Sequence, residues 1–257
     1  MAIVNVTPDS FSDGGERLDP ARAIDDGLRV VAEGADILDV GGESTRPGSA
    51  AVSPEEEIRR VVPVVEGLVR QGAVVSLDTR RARVAEAGLA AGARIVNDVS
   101  ALRDDDAMLP LVFRSKASVV LMHRRGRPEE RYAGPAYDNV VEDVRQFLLD
   151  RAAACEAAGV DRQDIALDPG LGFGKRVEEE LALIAGTERL AQEGYPVLVG
   201  SSRKSFIGKL TGLQKPIDRD PASAWLAVEA VRRGASIVRV HNVVATRQAL
   251  AVFEAMR

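Results

Sequence analysis

Three observations predict an α/β fold, a single closed (β/α)8 TIM barrel of eight parallel strands covered by helices. Eight short apolar runs, mostly β-branched, recur roughly 20 to 45 residues apart, the spacing of a parallel sheet with crossover helices. Between them, apolar residues return every three or four positions, as in helices with one buried face. The chain has 257 residues, close to the ~250 of one barrel and enough for one sizeable core. Residues 1–257 are therefore expected to form one domain.

The elements follow in order. The first run, Ile3-Val4, ends in Asn5 and leads into a loop rich in Gly, Pro, Ser and Asp, from Thr7 to Glu16. Ile37-Leu38 ends in Asp39 and leads into a second such loop, from Gly41 to Ser53. Glycine-rich loops at a barrel mouth are candidate lids. A helix is predicted from Pro54 to Gln71, a strand from Val74 ending in Asp78, a helix from Arg80 to Ala91 and a strand from Ile95 ending in Asn97. The run Val119 to Met122 ends in His123, and the charged stretch Arg124 to Ala136 separates it from a helix from Tyr137 to Ala158. Ile165 to Leu167 ends in Asp168, with a helix after it from Val177 to Glu193. Val197 to Gly200 ends in Ser201-Ser202-Arg203, a helix covers Pro221 to Arg233, and Ile237 to Val240 ends in His241. Gly34, Gly92 and Gly234 each stand just before a strand, where a helix C-terminus uses a left-handed glycine to turn the chain back.

The totals exclude several classes of function. A net charge of -5 does not supply the basic field that phosphate-backbone binding needs, so no nucleic-acid partner is expected. A single cysteine, Cys155, rules out a disulfide framework and fits a reducing compartment. With no charged-then-apolar leader and no run of 18 apolar residues, neither export nor membrane spanning is expected, and the cytoplasm is the predicted location.

In such a barrel, residues at the carboxyl ends of the strands meet at one mouth. Asp78, Asn97 and Asp168 end three separate strands, and two carboxylates with an amide make an acceptor-rich surface for a flat heterocycle with adjacent N–H groups. A carboxylate takes two such donors at once. Arg46, Lys204 after Arg203, Arg239 and His241, with His123 nearby in strand order, form a cationic counterpart. An inward Arg239 without a carboxylate in its own strand points to an anion, with a structural ion pair to a pocket aspartate as the other reading. No CxxC, HExxH or Walker loop occurs, so no permanent transition-metal site is expected. A Mg2+ accompanying a pyrophosphate needs only one or two protein oxygens, which Asn5 or Asp9 supplies.

The strings NVTPDSFSDGG, DVGGESTRPG, SLDT, IVNDVS, LMH, LDPGLGFGK, GSSRKSFIG and RVH occur in the order of one family, and the chain resembles dihydropteroate synthase along essentially its whole length. The resemblance implies a pterin-binding barrel that joins 6-hydroxymethyl-7,8-dihydropterin pyrophosphate to 4-aminobenzoate, releasing pyrophosphate and forming 7,8-dihydropteroate in folate synthesis. It assigns Asp78, Asn97, Met122, Asp168, Phe173, Lys204 and Arg239 to the pterin, and Asn5, Thr45, Arg239 and His241 to pyrophosphate. Asn5 and Asp9 go to Mg2+. Phe11, Arg46, Pro47, Lys204 and Ser205 go to 4-aminobenzoate and hence to sulfonamide inhibitors. Asp78, Asp168, Lys204, Arg239 and His241 are the implied catalytic group, and a homodimer packed through later outer helices is implied as well. Departures from the family pattern are Asn242 in place of the acid after RVH, expected to alter how His241 is oriented, and Arg124 after LMH, expected to make the pocket edge more cationic. The alternatives are a pterin-dependent methyltransferase, which the intact anion cluster disfavours, and a catalytically inactive pterin-binding protein.

Overall fold

The computed structural model describes residues 1–7, 19–44, 52–126 and 137–257. Its strands are β1 (Ala2–Asn5), β2 (Leu38–Gly41), β3 (Val75–Asp78), β4 (Ile95–Asp98), β5 (Ser118–Met122), β6 (Ile165–Asp168), β7 (Leu198–Val199) and β8 (Ile237–Val238). β1 to β6 pair in sequence order, all parallel, and β7 pairs β8. Single parallel bridges, Leu167 to Val197 and Ala2 to Val240, join the two groups at both edges and close the barrel.

Strand register explains why polar endings gather. Ile3, Asp39, Ser76 and Ile95 stand level around the ring, and Asn5, Gly41, Asp78, Asn97, Val120 and Ala166 form the next level. Side chains alternate with period two, so both levels face inward, and Met122 with Asp168 continue the inward face one step higher. The outward set, Leu38, Val40, Val75, Leu77, Val96, Val119, Leu121, Ile165 and Leu167, is buried against the helices. At the closed bottom Met1, Val120, Ala166 and Leu198 pack with Ile37, Ile95 and Ile237 into an apolar plug.

The helices are α1 (Pro20–Ala32), α2 (Pro54–Arg70), α3 (Ala82–Ala90), α4 (Met108–Ser115), α5 (Val140–Ala157), α6 (Val177–Ala185), α7 (Thr187–Ala191), α8 (Ser205–Thr211), α9 (Asp220–Arg232) and α10 (Val243–Ala255). α2, α3, α5 and α9 lie within a few residues of expectation. Side-chain caps fix several starts: Asp19 for α1, Ser53 for α2, Asn139 for α5 and Asn242 for α10. The single helix expected from Val177 to Glu193 is broken at Gly186. There a Cβ would lie 2.7 Å from Val141 Cγ1, so the lack of a side chain permits the close approach to α5. Asp39 departs from the expected strand ending: it sits inside β2, fully buried. Cys155 is buried in α5, and burial pushes its thiol up to about 11, which leaves it inert.

Candidate active site

A cavity of about 660 Å³ opens at the carboxyl end of the barrel. Asn5 of β1, Asp78 of β3, Phe173 beyond β6, Lys204 and Ser205 beyond β7, and Arg239 and His241 at β8 all line it. Asn97, Met122 and Asp168 are buried on the same inward face. Ten of the fifteen residues expected at the site therefore come together, whereas Asp9, Phe11, Thr45, Arg46 and Pro47, with most of both expected lids, lie outside the described residues.

The acceptor wall is a connected network. Arg239 Nε donates to Asp39 Oδ2 at 2.6 Å and its Nη2 to Asp78 Oδ2 at 2.9 Å, while Asn97 Nδ2 donates to the same Asp39 oxygen at 2.9 Å. The ion pair that was the other reading of Arg239 is thus present: two of its nitrogens neutralise Asp39 and Asp78, as a buried charge requires. Burial, reinforced by the negative charge of Asp39, pushes Asp78 up to about 7 even though Arg239 opposes the shift.

Asp168 is held by a tight turn. Its Oδ1 accepts the N–H of Gly170 at 2.7 Å, a local partner that the sequence reading did not anticipate. Burial raises its pKa above the usual carboxylate range, and that N–H and the charges of Lys204 and Arg239 oppose the rise. Gly170 has φ +69, and a Cβ there would stand 1.8 Å from the His123 carbonyl oxygen, so only glycine fits. Lys175 Nζ donates to the carbonyls of Gly170 at 2.7 Å and His123 at 3.2 Å, and both carboxylate oxygens of Glu180 take the N–H of Gly172. This clamp places Phe173 so that Lys204 Nζ lies 4.3 Å from the centre of its ring. Sequence reasoning did not single out Lys175 or Glu180, although the GFGK string contains the first. Burial and the nearby Arg239 bring the Lys204 ammonium down to about 8.

Across the cavity, His241 Nδ1 shares a 2.9 Å hydrogen bond with Ser202 Oγ, which also accepts the His241 N–H at 3.1 Å. Burial first, then Arg203 and Arg239, depress the imidazole to about 3, so it is neutral near pH 7. Ser202 therefore orients His241. Asn242 instead caps α10 through Ala245 N–H and donates to Asp220, whose carboxylate also grips Arg203 at 2.6 and 2.8 Å. The expectation that Asn242 would alter the orientation of His241 is replaced by this capping role.

Two further cations of the sequence reading are corrected. His123 packs edge-on to Phe147 with ring centres 4.9 Å apart, and burial, then Lys175 and Arg103, hold it down at about 2. It is a neutral core residue because β5 turns it away from the mouth. Arg124 is buried against Asp104 and does not line the cavity. The sequence also gave no sign of a buried charge cluster beside the second loop. Glu57 accepts from Thr79 and Arg81, Arg81 reaches Glu43, and Glu43 takes the N–H of Val52 at 3.2 Å. Residues 43 and 52 flank the undescribed 45–51, so this cluster ties the two stems together.

Among the described residues no three His, Cys, Asp or Glu side chains form a metal-binding cluster. Asn5 offers an exposed carboxamide at the end of β1, a donor that fits Mg2+ held chiefly by phosphate oxygens and water.

Residues 1–241 match the family described as pterin binding enzyme. The dihydropteroate synthase of Neisseria meningitidis serogroup C is 48% identical over 100% of this chain and 92% of its own length. The structure of Xanthomonas albilineans dihydropteroate synthase with 4-aminobenzoic acid superposes with a TM-score of 0.93 at 48% identity, covering 99% of this chain and 91% of that one. That of the Yersinia pestis enzyme with a sulfonamide drug complex also gives 0.93, at 40% identity, covering 100% and 93%.

Proposed function

The chain belongs to the dihydropteroate synthase family of pterin-binding enzymes, and from that premise we propose how its barrel mouth performs the reaction. The protein is a transferase that condenses 6-hydroxymethyl-7,8-dihydropterin pyrophosphate with 4-aminobenzoate, giving 7,8-dihydropteroate and pyrophosphate. The observation that carries the reading is that the cavity lined by Asp78, Lys204, Arg239 and a neutral His241 opens on the inward barrel face that also carries the buried Asn97 and Asp168.

The pterin lies against the acceptor wall, where Asp168 accepts paired N–H groups and Lys204 and Phe173 border the ring. As the bond between the exocyclic methylene carbon and the pyrophosphate oxygen breaks, positive charge spreads into the electron-rich dihydropterin. Preorganised carboxylates at Asp78 and Asp168 stabilise that charge. Arg239, Lys204 and His241 stabilise the departing pyrophosphate. The amine of 4-aminobenzoate then bonds to the methylene carbon and loses one proton to water, so no strong base is needed. Mg2+, held by Asn5 and phosphate oxygens, would neutralise charge on the leaving group.

4-Aminobenzoate is assigned to Ser205 and Lys204 together with Phe11, Arg46 and Pro47, and Thr45 and Asp9 belong to the pyrophosphate and Mg2+ side. Sulfonamides compete at the 4-aminobenzoate position. The exposed Trp225, Val252 and Met256 of the late helices support a homodimer formed through that face. Among the described residues no helix is long and apolar enough to cross a membrane, and a cytoplasmic setting suits the phosphorylated substrate.

Calorimetry tests the two subsites. His241→Ala should weaken Mg2+-pyrophosphate binding and leave a pterin without phosphates nearly unaffected. Equal loss for both ligands would contradict the assignment.

A further inference from the structure

We propose that Asp39 sets which heterocycle the site accepts, by locking the carboxamide of Asn97 in one orientation; the inference rests on the pterin reading above. Asp39 is fully buried, and its Oδ2 accepts both Arg239 Nε at 2.6 Å and Asn97 Nδ2 at 2.9 Å. An oxygen already accepting from a guanidinium presents only lone pairs, so the edge of Asn97 turned toward it is the NH2. Reversed, two oxygens would face each other with no proton between them. What Asn97 has left is a carbonyl oxygen and one N–H, in a fixed order.

That order selects among planar ligands. A 2-amino-4-oxo pyrimidine edge carries an amino N–H beside a ring-nitrogen lone pair, the complement of a carboxamide, as when Asn reads adenine. A 2,4-dioxo edge carries the inverse, a carbonyl oxygen beside a ring N–H. A carboxamide free to turn through about 180° satisfies either edge, whereas one held by Asp39 satisfies only the first. Sites with fixed polar groups reject ligands that leave those groups unpaired. Asp39 is fully buried and spends its one engaged oxygen on Asn97 and Arg239, so its role is one of positioning. Its Oδ1 makes no hydrogen bond, nor does Oγ of its register neighbour Ser76. The carboxylate is therefore engaged through the one oxygen that holds Asn97 and Arg239.

The test compares a 2-amino-4-oxo pterin with its 2,4-dioxo analogue by titration calorimetry. The unsubstituted protein should prefer the amino form by at least about tenfold. Asp39→Asn can keep an acceptor oxygen toward Asn97 and Arg239 and place its NH2 beside Ser76, so it should retain that preference within about twofold. Asp39→Ala and the gentler Asp39→Ser release the carboxamide and should lower the preference about tenfold. A merely structural Asp39 would weaken both ligands together and leave their ratio unchanged. An unchanged ratio in the Ala and Ser variants, a lost ratio in the Asn variant, or equal binding of both ligands by the unsubstituted protein would overturn the proposal. Failure of the unsubstituted protein to bind either ligand would overturn the pterin reading beneath it.

Discussion

His123 and His241 are the two histidines of the chain; both follow strands, yet they do different work. His123 is held at about 2 by burial, so the folded state keeps it neutral while the unfolded chain takes up a proton below about 6.5. Its contribution is complete above that value and is lost as pH falls, because the unfolded state then binds more protons. His123→Phe removes this loss. Relative to the unsubstituted protein, the variant should gain about 2 kcal/mol between pH 7.5 and pH 5. Urea unfolding at the two values checks this, and a constant difference would contradict it. At the mouth, Asp168→Ala should reduce pterin affinity by about 2 to 4 kcal/mol, the loss of charge-assisted bonds and the unpairing of buried donors, and calorimetry reads it directly. Asp78, Asn97, Asp168 and His241 were legible because polar residues closing apolar runs have few structural uses. Asp39 was legible as a polar ending, but its partnership with Arg239 crosses 200 positions and leaves no local pattern. Arg124 and His123 misled because a one-residue step past a strand end decides between mouth and core.

At the scale of elements, the connection from β6 to α6 shows how backbone shape holds chemistry in place. Gly170→Ala would force a Cβ against the His123 carbonyl oxygen at a left-handed φ. We expect a loss of at least about 3 kcal/mol, measured by chemical denaturation, together with weaker pterin binding as Phe173 and Lys204 lose their support. Near-native stability would show that the turn relaxes freely. At the start of α10, Asn242→Ala should cost about 1 to 2 kcal/mol through the lost cap and the lost bond to Asp220. Turnover should stay within about twofold, since Ser202 and not Asn242 orients His241; a larger fall in kcat would place Asn242 in the catalytic machinery. The periodic helices α2, α3, α5 and α9 could be read from sequence. The break at Gly186 could not, because its cause is the packing of α6 on Val141, a contact between elements. The stems joined by the Val52 N–H to Glu43 hydrogen bond escaped notice for the same reason.

For the molecule as a whole, barrel closure converts a one-dimensional list of strand ends into a ring, and the two-residue alternation of each strand decides which residues face the cavity. That is why the architecture and the acceptor wall were readable together, whereas the weak pairing of β7 and β8 with their neighbours was not. Sulfonamides should inhibit competitively with 4-aminobenzoate, as steady-state inhibition patterns would reveal, because no added element at Lys204 or Ser205 discriminates against them. Undiminished turnover at a large excess of sulfonamide over substrate would contradict this. The central claim is that one cavity couples departure of pyrophosphate to capture of the arylamine. The most direct measurement follows pyrophosphate release and dihydropteroate formation together, with dihydropterin pyrophosphate and Mg2+ present and 4-aminobenzoate either supplied or withheld. The account predicts equimolar pyrophosphate and dihydropteroate in sustained turnover only when 4-aminobenzoate is supplied. Equal pyrophosphate release without it, or no dihydropteroate with it, would contradict the account.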